Sequence, residues 1–329
     1  VIRVNRHSQQ EQWVTSLSEQ QQKQLLQSVP APLQERVLQA WNTWQNACTA
    51  VALDPLAHHE LALVGKIFCC SEFLAQTQSK YPVPWHELNQ SGQLSRSFSL
   101  QDYRELLQRQ MDELSPSDNP GLLKCLRKFR HLHMLRIGWR DLAGWAETRE
   151  TLENLSDLAE ACIELTLEKL YQQLCEQLGV PRDAAGEQQR LIVLGMGKLG
   201  GRELNYSSDI DLMFAFTEEG TLDGPRPLAN SQFYIRLGQQ FIKTLNDITA
   251  DGFVFRVDMR LRPYGDSGPL AMSFAAMEQY YQTQGRDWER YAMIKARVVG
   301  GDRDAGTELM DMLRPFVYRR YLDFGAFQA

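Results

Sequence analysis

LIVLGMGKLGGRELNYSSDIDLMFAF, Leu191 to Phe216, is the stretch whose reading decides the fold. An apolar run leads into G-x-G-x-x-G at Gly195, Gly197 and Gly200, the spacing of a dinucleotide-binding turn. Such a site needs a full helix after the glycines, then a second strand with an acid about 20 residues further on. Here the next apolar run opens at Asp209, leaving room after Gly201 for about two helical turns. Its acids, Asp209 and Asp211, fall inside the run rather than beyond it. The glycines therefore read as serving the aspartates. Residues i and i+2 of a strand share a face, so both carboxylates point one way, with Ile210 and Leu212 packed behind. Such a pair suits a hard divalent cation. A D-x-D alone also describes a strand with an acidic solvent face. What separates the two is Gly200-Gly201, which puts backbone N–H groups and a helix start beside the strand end, a cradle for phosphate.

A third acid is expected from a neighbouring strand, and GFVFRVDMRLRPYG supplies it. Arg256, Asp258, Arg260 and Arg262 alternate with Val257, Met259 and Leu261, as in a strand stopped by Pro263 and Gly265. Three arginines on one strand face repel each other unless anions bind there. The plainer reading is a surface ladder paired to acids on the next strand.

Residues 1–185 read as successive helices, with apolar positions three and four apart and LSDLAEACIELTLEKLYQQLCEQLG as the cleanest, closed by Gly179 and Pro181. Arg127, Arg130, Arg136 and Arg140 share faces of one long helix. They read either as a solvated basic face or as the lining of a cleft or target surface. The polar PRDAAGEQQR marks a change of character. A loop with Pro225 and Pro227 precedes a helix over about 230–246, and helical patterns return from about Ser273 to the end. The expected class is α+β, a small mixed sheet with helices, preceded and followed by helical bundle segments. The expected divisions are a helical domain 1–185, a catalytic domain 186–285 and a helical tail 286–329.

At 329 residues there is room for about two domains. The net charge of -6 does not suit a non-specific nucleic-acid binder, and no apolar run approaches the roughly 18 residues of a membrane span. No signal-peptide pattern opens the chain. Six cysteines without a C-x-x-C pair read as buried reduced thiols, which points to the cytoplasm. HHE at 58–60 lacks the spacing of a helical zinc site. Val1 in place of Met, and a helix-like pattern running into YLDFGAFQA, read as a fragment of a longer protein.

The glycine pair, the D-h-D and the distant strand aspartate together resemble the DNA polymerase beta-type nucleotidyltransferase superfamily. GMGKLGGRELNYSSDIDLMF, DGFVFRVDMRLRPYGDSGPL and GRDWERYAMIKARVVGGD, with LRKFRHLHMLRIGWRDLAG in the helical half, resemble the bacterial glutamine synthetase adenylyltransferase/adenylyl-removing enzymes. The likeness is strong over about 120–329 and weak over 1–100. It implies a polymerase beta-like fold and one of the family's two tandem units. The wording of ELNYSSDIDLMF and WERYAMIKAR resembles the amino-terminal unit, which removes AMP from a tyrosine of glutamine synthetase. The implied chemistry is phosphorolysis, with phosphate attacking and ADP released. The opposite direction, adenylyl transfer from ATP, and an inactive docking module stand as alternatives. The resemblance further implies Asp209, Asp211 and Asp258 as ligands of two Mg²⁺ ions (or Mn²⁺), with Asp258 as base in the ATP-using direction. Gly200, Gly201 and Ser208 would contact phosphate oxygens. Arg260 and Arg262 would hold the attacking phosphate, with Arg256, Lys198, Lys295 and Arg297 as further candidates. A PII-type signal protein and glutamine are the implied regulators.

Overall fold

The computed structural model describes residues 17–56, 60–115, 117–224 and 228–318. His58 and His59, the prolines Pro225 and Pro227, and the closing YLDFGAFQA lie outside the described residues. Serines start several of the early helices by accepting a backbone N–H of the first turn. Ser18 caps α1 (Glu19–Leu26) in a capping box with Gln21. After α2 (Gln34–Ala50) and α3 (Leu61–Cys70), Ser71 caps α4 (Glu72–Lys80) through the N–H of Leu74. Pro82 opens α5 (Pro82–Gln90), where its missing N–H costs nothing. Ser99 caps α6 (Leu100–Asp112), again with a capping box. Two long helices follow, α7 (Asn119–Ala143) and α8 (Thr148–Leu178).

The remaining elements interleave. They are β1 (Ile192–Gly195), the single turn α9 (Gly197–Gly200), β2 (Ile210–Phe216), α10 (Asn230–Asn246), β3 (Val257–Asp258), β4 (Ala271–Ser273), α11 (Phe274–Thr283), α12 (Asp287–Met293), β5 (Arg297–Gly301) and α13 (Arg303–Val317). The class is α+β with a small mixed sheet, as expected. Helix α10 falls where its periodicity placed it. No helix among the described residues is long and apolar enough to cross a membrane.

The chain divides into two units, and neither boundary falls at 185 or 285. One unit joins the residues up to Ser97 with His131–Thr151. Its core contains Trp41, Phe68, Trp85 and Trp139, and the rings of Trp85 and Trp139 stand 5.1 Å apart. The other joins Phe98–Arg130 with Leu152 onward, so most of α8 belongs with the sheet. In that unit β2 pairs antiparallel with β1, and β1 antiparallel with β5. On the other side of β2 lie β3 and β4, both parallel to it.

Several sequence expectations are corrected. Residues 286–329 are not simply a helical tail, because the β-branched run at Val298 and Val299 forms β5 within the sheet. GFVFRVDMRLRPYG is not one long strand: only Val257–Asp258 is, since Asp258 bends the chain by accepting the N–H of Arg260 at 2.8 Å. The four arginines of α7 are buried, which overturns both the solvated face and the open lining. In the sheet unit, Arg127 donates to the carbonyls of Gly252 (2.7 Å), Leu123 (2.9 Å) and Asp247. Arg130 lies over the rings of Phe253 and Phe255, and burial pushes its guanidinium down to about 10. In the helical unit, Arg136 serves the carbonyls of Gln93 and Arg96, and Arg140 that of Leu94 together with Glu150. A buried guanidinium is tolerable when carbonyls or acids replace its water. Of the cysteines, only Cys48 and Cys162 are buried.

Candidate metal and phosphate site

Strand β1 delivers the chain into the glycine turn. Gly197 takes φ +53, a left-handed backbone that glycine adopts without penalty. A Cβ on it would stand 2.8 Å from Oδ2 of Asp211, so the carboxylate lies against the bare Cα. Gly200 is needed for a different reason: a Cβ there would meet the carbonyl oxygens of Lys295 at 1.9 Å and Gly195 at 2.5 Å. The N–H of Gly200 donates to Met196 (3.1 Å) and that of Gly201 to Gly197 (3.1 Å). Both groups offered by the sequence as phosphate donors are thus engaged in the turn itself.

The next strand runs antiparallel to β1, whereas a dinucleotide fold needs a parallel one. Met196 donates its N–H to the carbonyl of Asp211 (2.8 Å), which sets that aspartate opposite the glycine turn. On the far side of β2 the parallel register pairs Asp211 with Asp258 and Ile210 with Val257. Asp209 stands just before the strand. The three acids singled out from sequence are therefore brought together at one end of β2. Asp211 is raised above the usual carboxylate range, by burial first and then by the negative charges of Asp258 and Asp209. Asp258 is lowered, because Arg260 hydrogen-bonds to it.

Each outer acid has an arginine on it. Arg256 pairs with Asp209, donates to the carbonyl of Ser207 (2.6 Å) and lies over the Phe253 ring at 5.8 Å. The Nε of Arg260 reaches both oxygens of Asp258, at 3.0 and 2.8 Å. With these two carboxylates turned onto arginines, no three His, Cys, Asp or Glu side chains among the described residues stand as a ready set of metal ligands. The donor chemistry nevertheless fits a hard divalent ion: three carboxylates, one of them raised by burial and then by its like-charged neighbours, form a site that a cation relieves.

The other candidates are placed differently. Ser208 donates to Oδ1 of Asn205 (2.7 Å) in a local turn. Arg262 braces its own loop through the carbonyl of Met259 (2.7 Å) and stands 3.7 Å from Asp266, with only 11% of its side chain exposed, while its charge bears on Asp258. Lys295 pairs with Glu203 at 2.6 Å, and Arg297 pairs with Glu160. Lys198 bears on Asp211 through its charge.

Sequence reading passed over three residues of α8 that reach this region. Ser156 accepts the N–H of Leu204 (3.2 Å), Asp157 pairs with Arg202 (2.8 Å), and Glu160 holds both Arg297 and Arg303. The available signal was acids inside a segment of α8 whose apolar residues Leu158, Ala159, Ala161, Cys162 and Ile163 leave no solvent face.

Residues 61–312 match a family model described as glutamate-ammonia ligase adenylyltransferase. A bifunctional glutamine synthetase adenylyltransferase/adenylyl-removing enzyme of Thioalkalivibrio sulfidiphilus is 49% identical over 92% of the chain. Its counterpart in Pseudomonas aeruginosa is 50% identical over 92%, and that of Hahella chejuensis 53% over 80%. The match spans 31%, 32% and 27% of the length of those three relatives.

Proposed function

The chain belongs to the glutamate-ammonia ligase adenylyltransferase family, and on that premise we propose that it removes AMP from an adenylylated tyrosine of glutamine synthetase by phosphorolysis. An oxygen of inorganic phosphate forms a bond to the AMP phosphorus, the tyrosyl O–P bond breaks, ADP leaves and the phenolate takes a proton. The observation that carries this reading is the pairing of Asp211 with Asp258 beside Asp209, at the mouth of the glycine turn.

Asp209, Asp211 and Asp258 would hold Mg²⁺. When bound, the ion supplies charge neutralisation at the phosphoryl oxygens and at the departing phenolate. Arg260, 73% exposed in its side chain, has Nε and Nη2 on Asp258 and would offer its remaining guanidinium N–H groups to an oxyanion. Phosphate is already anionic near neutral pH, so its attack asks for no strong base. Asp258, held low by Arg260, is a weak base, which supports an anionic nucleophile over a neutral tyrosine hydroxyl as the attacking group. The carboxylates and Arg260 thus bind and orient, and the proton balance falls on the departing phenol. The setting is the cytoplasm, and the regulation is that of nitrogen assimilation, with a PII-type protein and glutamine as effectors.

The test is nucleotide release from adenylylated glutamine synthetase with Mg²⁺ and phosphate. ADP is expected, and Asp211→Asn should lower the rate about a thousandfold, the several kcal/mol of charge stabilisation lost with the ion. Transfer of AMP from ATP onto unmodified enzyme would assign the opposite direction. A folded chain with neither activity, binding glutamine synthetase all the same, would be a docking module.

A further inference from the structure

Helix α8 touches the catalytic turn and loop from 199 to 204 at successive points. The Ser156 hydroxyl accepts the N–H of Leu204 at 3.2 Å. Asp157, 4% exposed, pairs with Arg202, which holds φ +56 without being glycine. That is an uncommon, strained backbone for a long side chain, kept only where its surroundings enforce it. Glu160, 1% exposed, pairs with Arg297, whose Nε donates to the carbonyl of Gly200 (3.3 Å). Residues 156, 157 and 160 lie on one face of the helix. The loop they grip leads from the glycine turn against Asp211 to Asp209.

We propose that this face of α8 is the positioning element of the site: Asp157, through Arg202, and Glu160, through Arg297, hold the glycine turn at its working distance from the carboxylates. The inference rests on the proposed function for its catalytic consequence, but not for the clamp itself. Asp157 is costly as an anion: burial pushes its carboxyl up to about 6, Glu160 and Glu153 add to this, and Arg202 and Arg297 oppose it. A buried charge retained against that cost, on a strained partner, is better explained by placement than by stability.

Two readouts on the full chain separate the possibilities. The first is hydrogen exchange at the amides of Gly200, Gly201 and Leu204. In Asp157→Asn these should exchange at least about tenfold faster, as expected for a loosened local opening, while the amides of α10 stay unchanged. The second is kcat for ADP release against that exchange. We expect kcat to fall about tenfold at pH 8, as for a misplaced catalytic frame, with KM for the adenylylated protein little changed. The ratio of wild type to variant should converge toward one near pH 5, where the wild-type Asp157 is largely protonated and, like the asparagine, carries no charge. Arg202→Gly keeps the left-handed turn and removes the guanidinium. Its effect and that of Asp157→Asn should not add. Unchanged exchange in Asp157→Asn would overturn the clamp, even if the wild type proved inactive. Faster exchange with unaltered kcat, or additive effects of the two substitutions, would overturn its positioning role. A wild type with loop protection but no ADP release would count against the proposed reaction alone.

Discussion

Replacing Gly200 by alanine sets two readings of one residue against each other. The new Cβ would stand 1.9 Å from the carbonyl oxygen of Lys295 and 2.5 Å from that of Gly195. Both are main-chain atoms, and relief requires the segment before β5 to retreat by more than an ångström from the α9 turn. Overpacking of this kind costs roughly 1–3 kcal/mol, and immovable neighbours put it at the upper end. Alanine's helix preference returns at most about 1 kcal/mol in a single helical turn. A net loss of about 2 kcal/mol lowers the melting temperature of a domain this size by roughly 4–8 °C. Gly201→Ala is the control: its nearest neighbours are Cδ of Lys295 at 3.2 Å and Cδ of Glu203 at 3.3 Å, side-chain ends that can move. It should shift stability by less than about 1 kcal/mol. Thermal melts followed by circular dichroism and calorimetry measure both. A Gly200→Ala chain that melts with the wild type, while losing affinity for phosphate, would refute the packing account and restore the glycine as a phosphate cradle.

Asp211→Asn should leave the melting temperature unchanged or slightly raised, since burial and two like charges already raise the carboxyl, while Mn²⁺ binding followed by paramagnetic resonance is lost. Asp157 gives stability a pH dependence. Its folded value of about 6 lies above the ordinary carboxylate value, so between about pH 4 and 6 the native state binds more protons. Its contribution is fully present below about pH 4 and is lost as pH rises through 6. Asp157→Asn should therefore gain stability relative to wild type between pH 5 and 7.5, by roughly 1.4 kcal/mol, in urea melts at the two pH values. Arg127→Met strips three carbonyls of a charged donor and should cost at least about 3 kcal/mol, seen as a fall in denaturant midpoint.

Much of the fold was legible because periodicity and turn chemistry are local. The bounds of α10, the end of α8 at Gly179 and the strand carrying D-h-D all follow from neighbours within a few residues. Strand β5 was not legible, since five residues between two helices leave too little pattern. Arg260 and Arg262 alternate as if on one strand face, but the strand ends at Asp258, whose carboxylate accepts the N–H of Arg260; Arg260 turns back onto Asp258 and Arg262 donates to the carbonyl of Met259. The arginines of α7 looked like surface, because spacing reports which residues share a face and not whether that face meets water or carbonyls.

The sequence by itself singled out the candidate residues, the three acids and the glycine turn. Their spacing is a local property: the glycines set a tight turn after one apolar run, and the two acids flank the start of the next. Only the tertiary structure decided what those residues meet. It put Asp258 in register with Asp211, gave the N–H groups of Gly200 and Gly201 to their own turn, and brought the acids of α8 beneath the loop. Those are contacts between segments far apart in the chain. They are set by how faces pack and where buried charges find partners, which no local pattern encodes.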